Sequence, residues 1–383
     1  MKRVAILGST GSIGVNALDC LTALRGEFTV TALSAGSNFE LLARQAAKFR
    51  PKAVSIGSSD LAGRLKRLVP RGTRVLCGQD GLDEIVSAGY VDIVVFAVSG
   101  SSCVGTLLKA IDHEKRIALA NKESLVTAGS LVMRKARSKK ARIIPIDSEH
   151  SAIFQCLDGR KDFLKKIYLT GSGGPLLDVP AGRFGTLSRK FVLSHPRWKM
   201  GRKISVDSAT MMNKGLEIIE ARWLFDVRGK DIDVLIHPEA IVHSMVEFMD
   251  GAVLAQMGTP DMRVPIQYAL TYPSRMASRA ESVRFDRIGS LTFRKPDLAK
   301  FPCLGLACRA LADGGTAPAV LNAADEEAVG LFLEGRIGFL SIPRVIEKAL
   351  ARHKNSKGAE PTLAEISNAD HWARNEVRSV CCH

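Results

Sequence analysis

The chain has 383 residues, 46% hydrophobic and 24% charged, which is an ordinary soluble composition with enough apolar material for two or three domain cores. The formal charge of +15 suits acidic partners, yet there is no RNP-like, zinc-finger or basic-zipper motif, so phosphorylated small molecules or plain surface Lys and Arg account for it and nucleic acid is not expected. No run approaches the roughly 18–20 apolar residues of a membrane span, and residues 2–8 read as a first strand and not a charged leader, so a soluble cytoplasmic protein is expected.

Residues 4–7 (VAIL) form a short apolar strand that runs into GSTGSIG at 8–14, after which Ile13, Ala17, Leu21 and Leu24 share a helical face. Strand, glycine turn and helix in that order form the context of a dinucleotide fingerprint. The glycines allow a tight turn and close approach to a pyrophosphate, and the helix start supplies amides and partial positive charge. The spacing is GxxGxxG, in place of GxGxxG. The second strand, 28–33, ends in SAGSN at 34–38 without the acidic residue that would hold a ribose 2′-hydroxyl. Small polar residues leave room for a 2′-phosphate, which favours NADP, with Arg44 or Lys48 as a nearby cation. Ser37 and Asn38 serve equally well as caps for a helix over 39–48.

Strands at 53–56, 74–77, 91–98, 116–120 and 142–146 alternate with helical patterns, giving a doubly wound α/β domain of about 150 residues. Ligands bind such sheets beyond the carboxyl ends of the strands, and NKE (121–123) and DSEH (147–150) lie at two of those ends. Asp147 and Glu149, at i and i+2 on an extended segment, point to one side. With Glu217, or Glu220 one turn on, they make three hard oxygen ligands suited to Mg²⁺ or Mn²⁺ and not to Zn²⁺. The competing reading is that both carboxylates cap a helix starting near Ser151.

A strand at 167–170 opens into GSGGP (171–175), an anion nest, a lid hinge or a plain linker. Residues 176–200 are loop-rich and contain HPRW (195–198), whose Trp198 is a flap that excludes water or simple packing. Ser208 reads as the N-cap of a helix in which Met212, Leu216, Ile219 and Trp223 make a buried stripe. Asn213, Glu217 and Glu220 share another face, with Lys214 beside them. An amide, carboxylates and an ammonium near a helix start suit a phosphorylated, metal-chelated substrate, the alternative being a solvated face. Strands at 234–237, 241–248 and 252–256 follow, with a hairpin turn at Gly251, and His237 and His243 read as hydrogen-bonded core histidines. Residues 275–302 read as an irregular linker, and helices at 304–312, 319–324, 326–334, 342–353 and 363–378 as a small C-terminal bundle. The eight cysteines show no CxxC spacing and read as reduced thiols, and 381–383 (CCH) as an untethered tail.

GSTGSIG (8–14), NKESL (121–125), DSEHS (147–151), LTGSGGP (169–175), GRKISVDSATMMNKGLE (201–217) and IHP (236–238) together resemble the signature segments of the 1-deoxy-D-xylulose 5-phosphate reductoisomerases, in order and over essentially the whole chain. The resemblance implies an α/β fold with an N-terminal doubly wound Rossmann-like NADPH domain (1–147) and a central α+β catalytic domain (148–274) with a flexible lid at about 172–202. A linker (275–302) and a C-terminal helix bundle (303–383) would follow. NADPH contacts fall on Thr10, Gly11, Ser12, Ile13, Gly36, Ser37, Asn38, Asn121, Glu123 and Gly201, and a divalent metal, Mn²⁺ or Mg²⁺, on Asp147, Glu149 and Glu217. Substrate falls on Lys122, Ser148, Glu149, Ser172, His195, Ser208, Asn213, Lys214 and Glu217, with Ser172, Ser208, Asn213 and Lys214 facing its phosphate. Lys122, Glu149, His195 and the lid residue Trp198 are the implied catalytic set. The family rearranges a phosphorylated sugar by a retroaldol–aldol sequence and reduces the product with NADPH, as a homodimer in which the strands around 242–256 make the interface. One departure is Ser37, where some members carry Lys. Another NADP-dependent oxidoreductase of the semialdehyde dehydrogenase kind would need an activated Cys, and Cys156 has no evident base. A silent nucleotide-binding protein would have no need of Asp147, Glu149 and Glu217.

Overall fold

Seven strands, Lys2–Leu7 (β1), Phe28–Ala35 (β2), Ala53–Ile56 (β3), Arg74–Cys77 (β4), Ile93–Phe96 (β5), Arg116–Leu119 (β6) and Ile143–Pro145 (β7), form one parallel sheet in the computed structural model, in the order β4-β3-β2-β1-β5-β6-β7. The structure describes residues 1–198, 200–355 and 360–381, without the side chains of residues 380 and 381. Cys382 and His383 of the expected tail therefore lie outside the described residues. Val4, Ala5, Ile6 and Leu7 are wholly buried, as a central strand covered on both faces requires, which is why β1 reads as an apolar run and not an alternation. The strand order reverses at β1, so the crevice beyond its carboxyl end, where Gly8 begins, is the topological switch point.

The chain divides into two compact units, one of residues 1–121, 132–151 and 261–281, the other of 122–131, 152–260 and 282–383. This differs from the expected three-part division in three ways, the first being that 122–131, expected in the N-terminal domain, go with the second unit. The helix Arg263–Thr271 packs on the helix Ser12–Ala23 and against β6 and β7, so 261–274 belong with the dinucleotide-type sheet. Pro265 sits in the first turn of that helix, where its missing N–H is no loss. The C-terminal helices, in turn, share one apolar core with the second sheet.

That second sheet contains Leu164–Gly171 (β8), Ile232–Ile236 (β9), Val242–Phe248 (β10) and Val253–Met257 (β11) in the order β11-β10-β8-β9. β8 and β9 are parallel, and β10 runs antiparallel to both its neighbours. The helix Met212–Phe225 packs on Pro302–Asp313 at Gly215, where a Cβ would stand 2.5 Å from the Ala307 Cβ. Residues 317–334 form a single helix, Ala317–Glu334, where the sequence suggests two. The apparent break falls at Asp325, which is wholly buried and paired with Lys203. The later part of the expected linker is laced to β9 by an Ile236–Arg294 bridge and by Thr292 bonding to Glu239. Among the described residues no helix is long and apolar enough to cross a membrane.

Candidate active site

In the first unit the turn after β1 is built around glycines that cannot be replaced at no cost. Gly8 has φ +84°, and a Cβ there would stand 2.4 Å from the Ala97 carbonyl oxygen; one at Gly14 would stand 2.3 Å from the Gly8 oxygen. Ser9 is locked beneath the turn, its Oγ donating to Gln45 Oε1 (2.7 Å) while Gln45 Nε2 donates to the Ser9 carbonyl (2.8 Å). Gly11 is the N-cap of Ser12–Ala23 and has no side chain to offer the first helical amides, which leaves that helix start suited to an anion. Thr10, Gly11, Ser12 and Ile13 thus gather at one turn. At the end of β2, Asn38 is the N-cap of the helix Phe39–Phe49, its Oδ1 accepting from the Leu41 amide (3.1 Å), and Gly36 and Ser37 are exposed beside it. Lys48 is folded over Phe49, about 15 Å along the helix from Asn38 at 1.5 Å per residue, so it is no neighbour of the turn. Asn121, beyond β6, donates to the Val98 and Gly100 carbonyls (2.7 and 2.9 Å) and ties two strand ends together.

The expected extended DSE segment is instead the start of the helix Ser148–Leu157, with the Asp147 carbonyl accepting from the Ser151 amide. An i, i+2 alternation therefore does not apply. The helix start nonetheless brings carboxylate oxygens of Asp147 and Glu149 within 4.8 Å of each other, and Ser148 Oγ donates to Glu149 Oε2 (2.5 Å). His150, absent from the sequence-derived set, is wholly buried beside them.

In the second unit Glu217 is the hub. Its carboxylate, 1% exposed, accepts from Lys122 Nζ (3.1 Å), from Lys214 Nζ (2.5 Å) and from the Asn213 amide. Lys122 also donates to Asn213 Oδ1 (2.9 Å), and Lys214 to the Thr170 carbonyl (2.6 Å). Lys122, Lys214, Glu217 and Glu220 are all buried, so the solvated-face alternative fails. Ser208 is not a helix N-cap. A helix begins at Arg202 behind the N-cap Gly201, ends at Thr210, and is followed by Met212–Phe225 across the left-handed residue Met211 (φ +60°). Ser208 therefore sits in the last turn of the first helix, against the nest at Gly174, where a Cβ would stand 2.5 Å from the Ser208 oxygen. Gly171 leaves the Lys214 chain its path, since a Cβ there would stand 2.7 Å from Lys214 Cε.

Ser172 Oγ and His195 Nε2 are 3.1 Å apart, and His195 Nδ1 accepts from the amides of Arg197 (3.1 Å) and Trp198 (2.9 Å). With Nδ1 accepting twice, the ring proton sits on Nε2 and is donated to Ser172. The Trp198 indole lies 6.5 Å from the His243 ring. His237 is a core histidine: Nδ1 faces the Thr292 carbonyl (2.8 Å), and Nε2 accepts from the Ile241 and Val242 amides. Within the stretch 172–202, where a lid is expected, Leu176, Phe184 and Val192 are buried and anchor 176–193 to the core.

A sequence profile of 1-deoxy-D-xylulose 5-phosphate reductoisomerase matches residues 4–129, that of its C-terminal domain residues 143–225, and a further DXP reductoisomerase C-terminal domain residues 257–376. The 1-deoxy-D-xylulose 5-phosphate reductoisomerase of Heliobacterium modesticaldum is 51% identical over 377 residues, 98% of this chain and 96% of that one. The chain belongs to the 1-deoxy-D-xylulose 5-phosphate reductoisomerase family. The Halalkalibacterium halodurans reductoisomerase is 48% identical, covering 99% of this chain and 100% of its own. A solved DOX-P reductoisomerase in complex with NADPH, fosmidomycin and magnesium superposes with a TM-score of 0.95 at 40% identity, over 100% of this chain and 98% of its own. The Zymomonas mobilis reductoisomerase in complex with NADPH gives 0.92 at 39% identity, over 99% of each chain.

The chain carries a buried polar cluster that sequence reasoning missed. Lys203 bridges Asp207 (2.6 Å) and Asp325 (2.8 Å), joining the helix that carries Ser208 to Ala317–Glu334. Burial and the neighbouring Asp325 push the Asp207 carboxyl up, against the pull of Lys203. The Lys203–Asp207 spacing was the one visible signal. Burial pushes the Cys156 thiol up to about 11, away from the thiolate that a nucleophile requires.

Burial holds the His195 ring down at about 4. The unfolded ring takes its proton near 6.5, so between these values the unfolded state binds more protons and stability falls as the pH drops through that window. An NMR titration should show the His195 ring neutral, with its proton on Nε2, at every pH above about 5.5. A midpoint near 6.5 would contradict the burial argument.

Proposed function

We infer that this chain catalyses the NADPH-dependent rearrangement and reduction of 1-deoxy-D-xylulose 5-phosphate to 2-C-methyl-D-erythritol 4-phosphate, a step of isoprenoid-precursor synthesis in the non-mevalonate pathway. The observation that carries this reading is the Lys122–Asn213–Lys214–Glu217 cluster, intact and buried in a chain that matches the family over its whole length. The residues fit the groups the reaction needs. The glycine turn is a cradle that any Cβ would fill, and the paired Asp147 and Glu149 oxygens are hard donors. When bound, NADPH supplies the hydride and a divalent cation polarises the substrate carbonyl and stabilises developing negative charge.

Asp147, Glu149 and Glu217 are the proposed ligand set for Mg²⁺ or Mn²⁺. Ser172, Ser208, Asn213 and Lys214 are proposed for the substrate phosphate, gathered as they are at the end of β8 and the adjoining helix ends. The His195 Nε2–H, already directed at Ser172 Oγ, holds that hydroxyl in one orientation toward an anion. The Lys122 ammonium is placed to give and take protons against a carboxylate it already contacts. Residues 194–198, with Trp198 at their end, are assigned the covering movement that keeps water out. Thr10, Gly11, Ser12, Ile13, Gly36, Ser37, Asn38, Asn121, Glu123 and Gly201 are proposed for NADPH. We also propose a cytoplasmic homodimer joined near 242–256, where the edge strand β11 exposes Val253 and Leu254.

The deciding assay follows NADPH absorbance with 1-deoxy-D-xylulose 5-phosphate, with Mg²⁺ or Mn²⁺ and with EDTA. Metal-dependent turnover, lost in Glu149→Gln while NADPH still binds, is the expected result. No turnover by folded, metal-loaded protein that binds NADPH would overturn the reading.

A further inference from the structure

We propose that Arg64 supplies the cation for the 2′-phosphate of the dinucleotide, and with it the preference for NADPH over NADH; this rests on the cofactor reading above. The turn at 36–38 offers that phosphate no charge of its own, Ser37 being neutral and the Oδ1 of Asn38 engaged in capping. Arg44 and Lys48 stand about 9 and 15 Å along the helix from Asn38. A cation has to come from elsewhere, and the fold of the first unit brings one from the next strand.

β2 and β3 are adjacent and parallel, and the turns that follow them are joined by the Gly57 amide donating to the Gly36 carbonyl (2.8 Å). A Cβ on Gly57 would stand 2.4 Å from that oxygen, so glycine is what lets the two turns meet. From the second turn the helix Ser59–Lys66 departs, capped by Ser58. Arg64 on this helix lays its guanidinium carbon 4.2 Å over the centroid of the Phe39 ring. Phe39 is the first residue of the helix that Asn38 caps, so the charge is fixed one residue past the turn.

The mode of fixing matters. A guanidinium held over an aromatic ring is positioned without spending its N–H donors on a carboxylate, and those donors match a phosphate in two-pronged fashion. Among the described residues no carboxylate pairs with Arg64, and Asp60 one turn earlier on the same helix does not reach it. The charge is therefore oriented and left for a ligand.

The test compares NADPH, NADH and 2′,5′-ADP on the full chain. Arg64→Ala is expected to raise the Kd and KM for NADPH about tenfold or more, and to weaken inhibition by 2′,5′-ADP in parallel. The Kd for NADH should stay put, and the loss should fall on KM for NADPH and not on kcat. Arg64→Lys should recover part of the affinity. Equal weakening of NADPH and NADH would assign Arg64 to the adenine ring or to the fold and overturn the proposal, as would an unchanged Kd for NADPH. A wild-type chain that binds NADPH no tighter than NADH would overturn the cofactor reading itself, and the role of Arg64 with it.

Discussion

Glu217→Gln is expected to lower kcat/KM about a thousandfold or more and to destabilise the fold by about 3–5 kcal/mol. Both effects come from one carboxylate. At present Glu217 sits between two buried ammonium groups, Lys122 at 3.1 Å and Lys214 at 2.5 Å, and accepts from Asn213 as well. Gln keeps the shape but removes the negative charge, so two buried cations are left facing an amide whose NH₂ half is a donor like themselves. Removing one partner of a buried ion cluster is costly because the remaining charge stays desolvated. The same change removes one proposed metal ligand, so Mg²⁺ is expected to raise the melting temperature of the parent and not that of the variant. Activity assays and melting curves with and without Mg²⁺ measure the two effects separately. Wild-type turnover would remove Glu217 from the site.

Gly14→Ala should abolish NADPH binding by a different route. The added Cβ would stand 2.3 Å from the Gly8 oxygen and 2.5 Å from Ser9 Cα, and both obstacles are backbone, so the turn itself has to shift. Because the helix start and turn amides must meet a pyrophosphate at hydrogen-bond distance, a displacement of about 1 Å is enough to lose affinity about a hundredfold or more. A fluorescence titration with NADPH reads this out. Gly63→Ala is the control: it lies inside the helix Ser59–Lys66 with open space around its Cβ position, so it should bind NADPH normally. A Gly14→Ala chain with parental affinity would sink the argument.

The fold was legible where burial is written in local pattern. β1 and β5 carry apolar runs, and the glycine turn follows the first of them, so the dinucleotide sheet could be laid out from the chain alone. The hub at Glu217 was legible through its neighbours Asn213 and Lys214 at helical spacing, and Lys122 entered through the resemblance. What failed had physical causes. Ser208 looked like a helix start because the left-handed break at Met211 leaves no Gly or Pro behind to mark it. The Asp147–Glu149 pair reads as an extended segment, although the strand ends at Pro145 and a helix takes over at Ser148. Asp325 looked like a break between helices because an isolated acid is normally exposed; its partner Lys203 is 122 residues away in sequence. Arg64 escaped notice because nothing in sequence links it to Phe39, 25 residues earlier.

The packing of the helix Arg263–Thr271 on Ser12–Ala23 bears on how the chain is made. The face that buries Ala17, Leu21 and Cys20 near the N-terminus waits for a cover that begins 240 residues after the first helix ends, at Arg263. At synthesis rates of about 5–20 residues per second, that interval is on the order of 12–50 s. During it the nascent sheet stands on the ribosome with an apolar helix face open. The first unit is therefore begun first and sealed late, and this is the period in which a chaperone that shields nascent chains has the most to do.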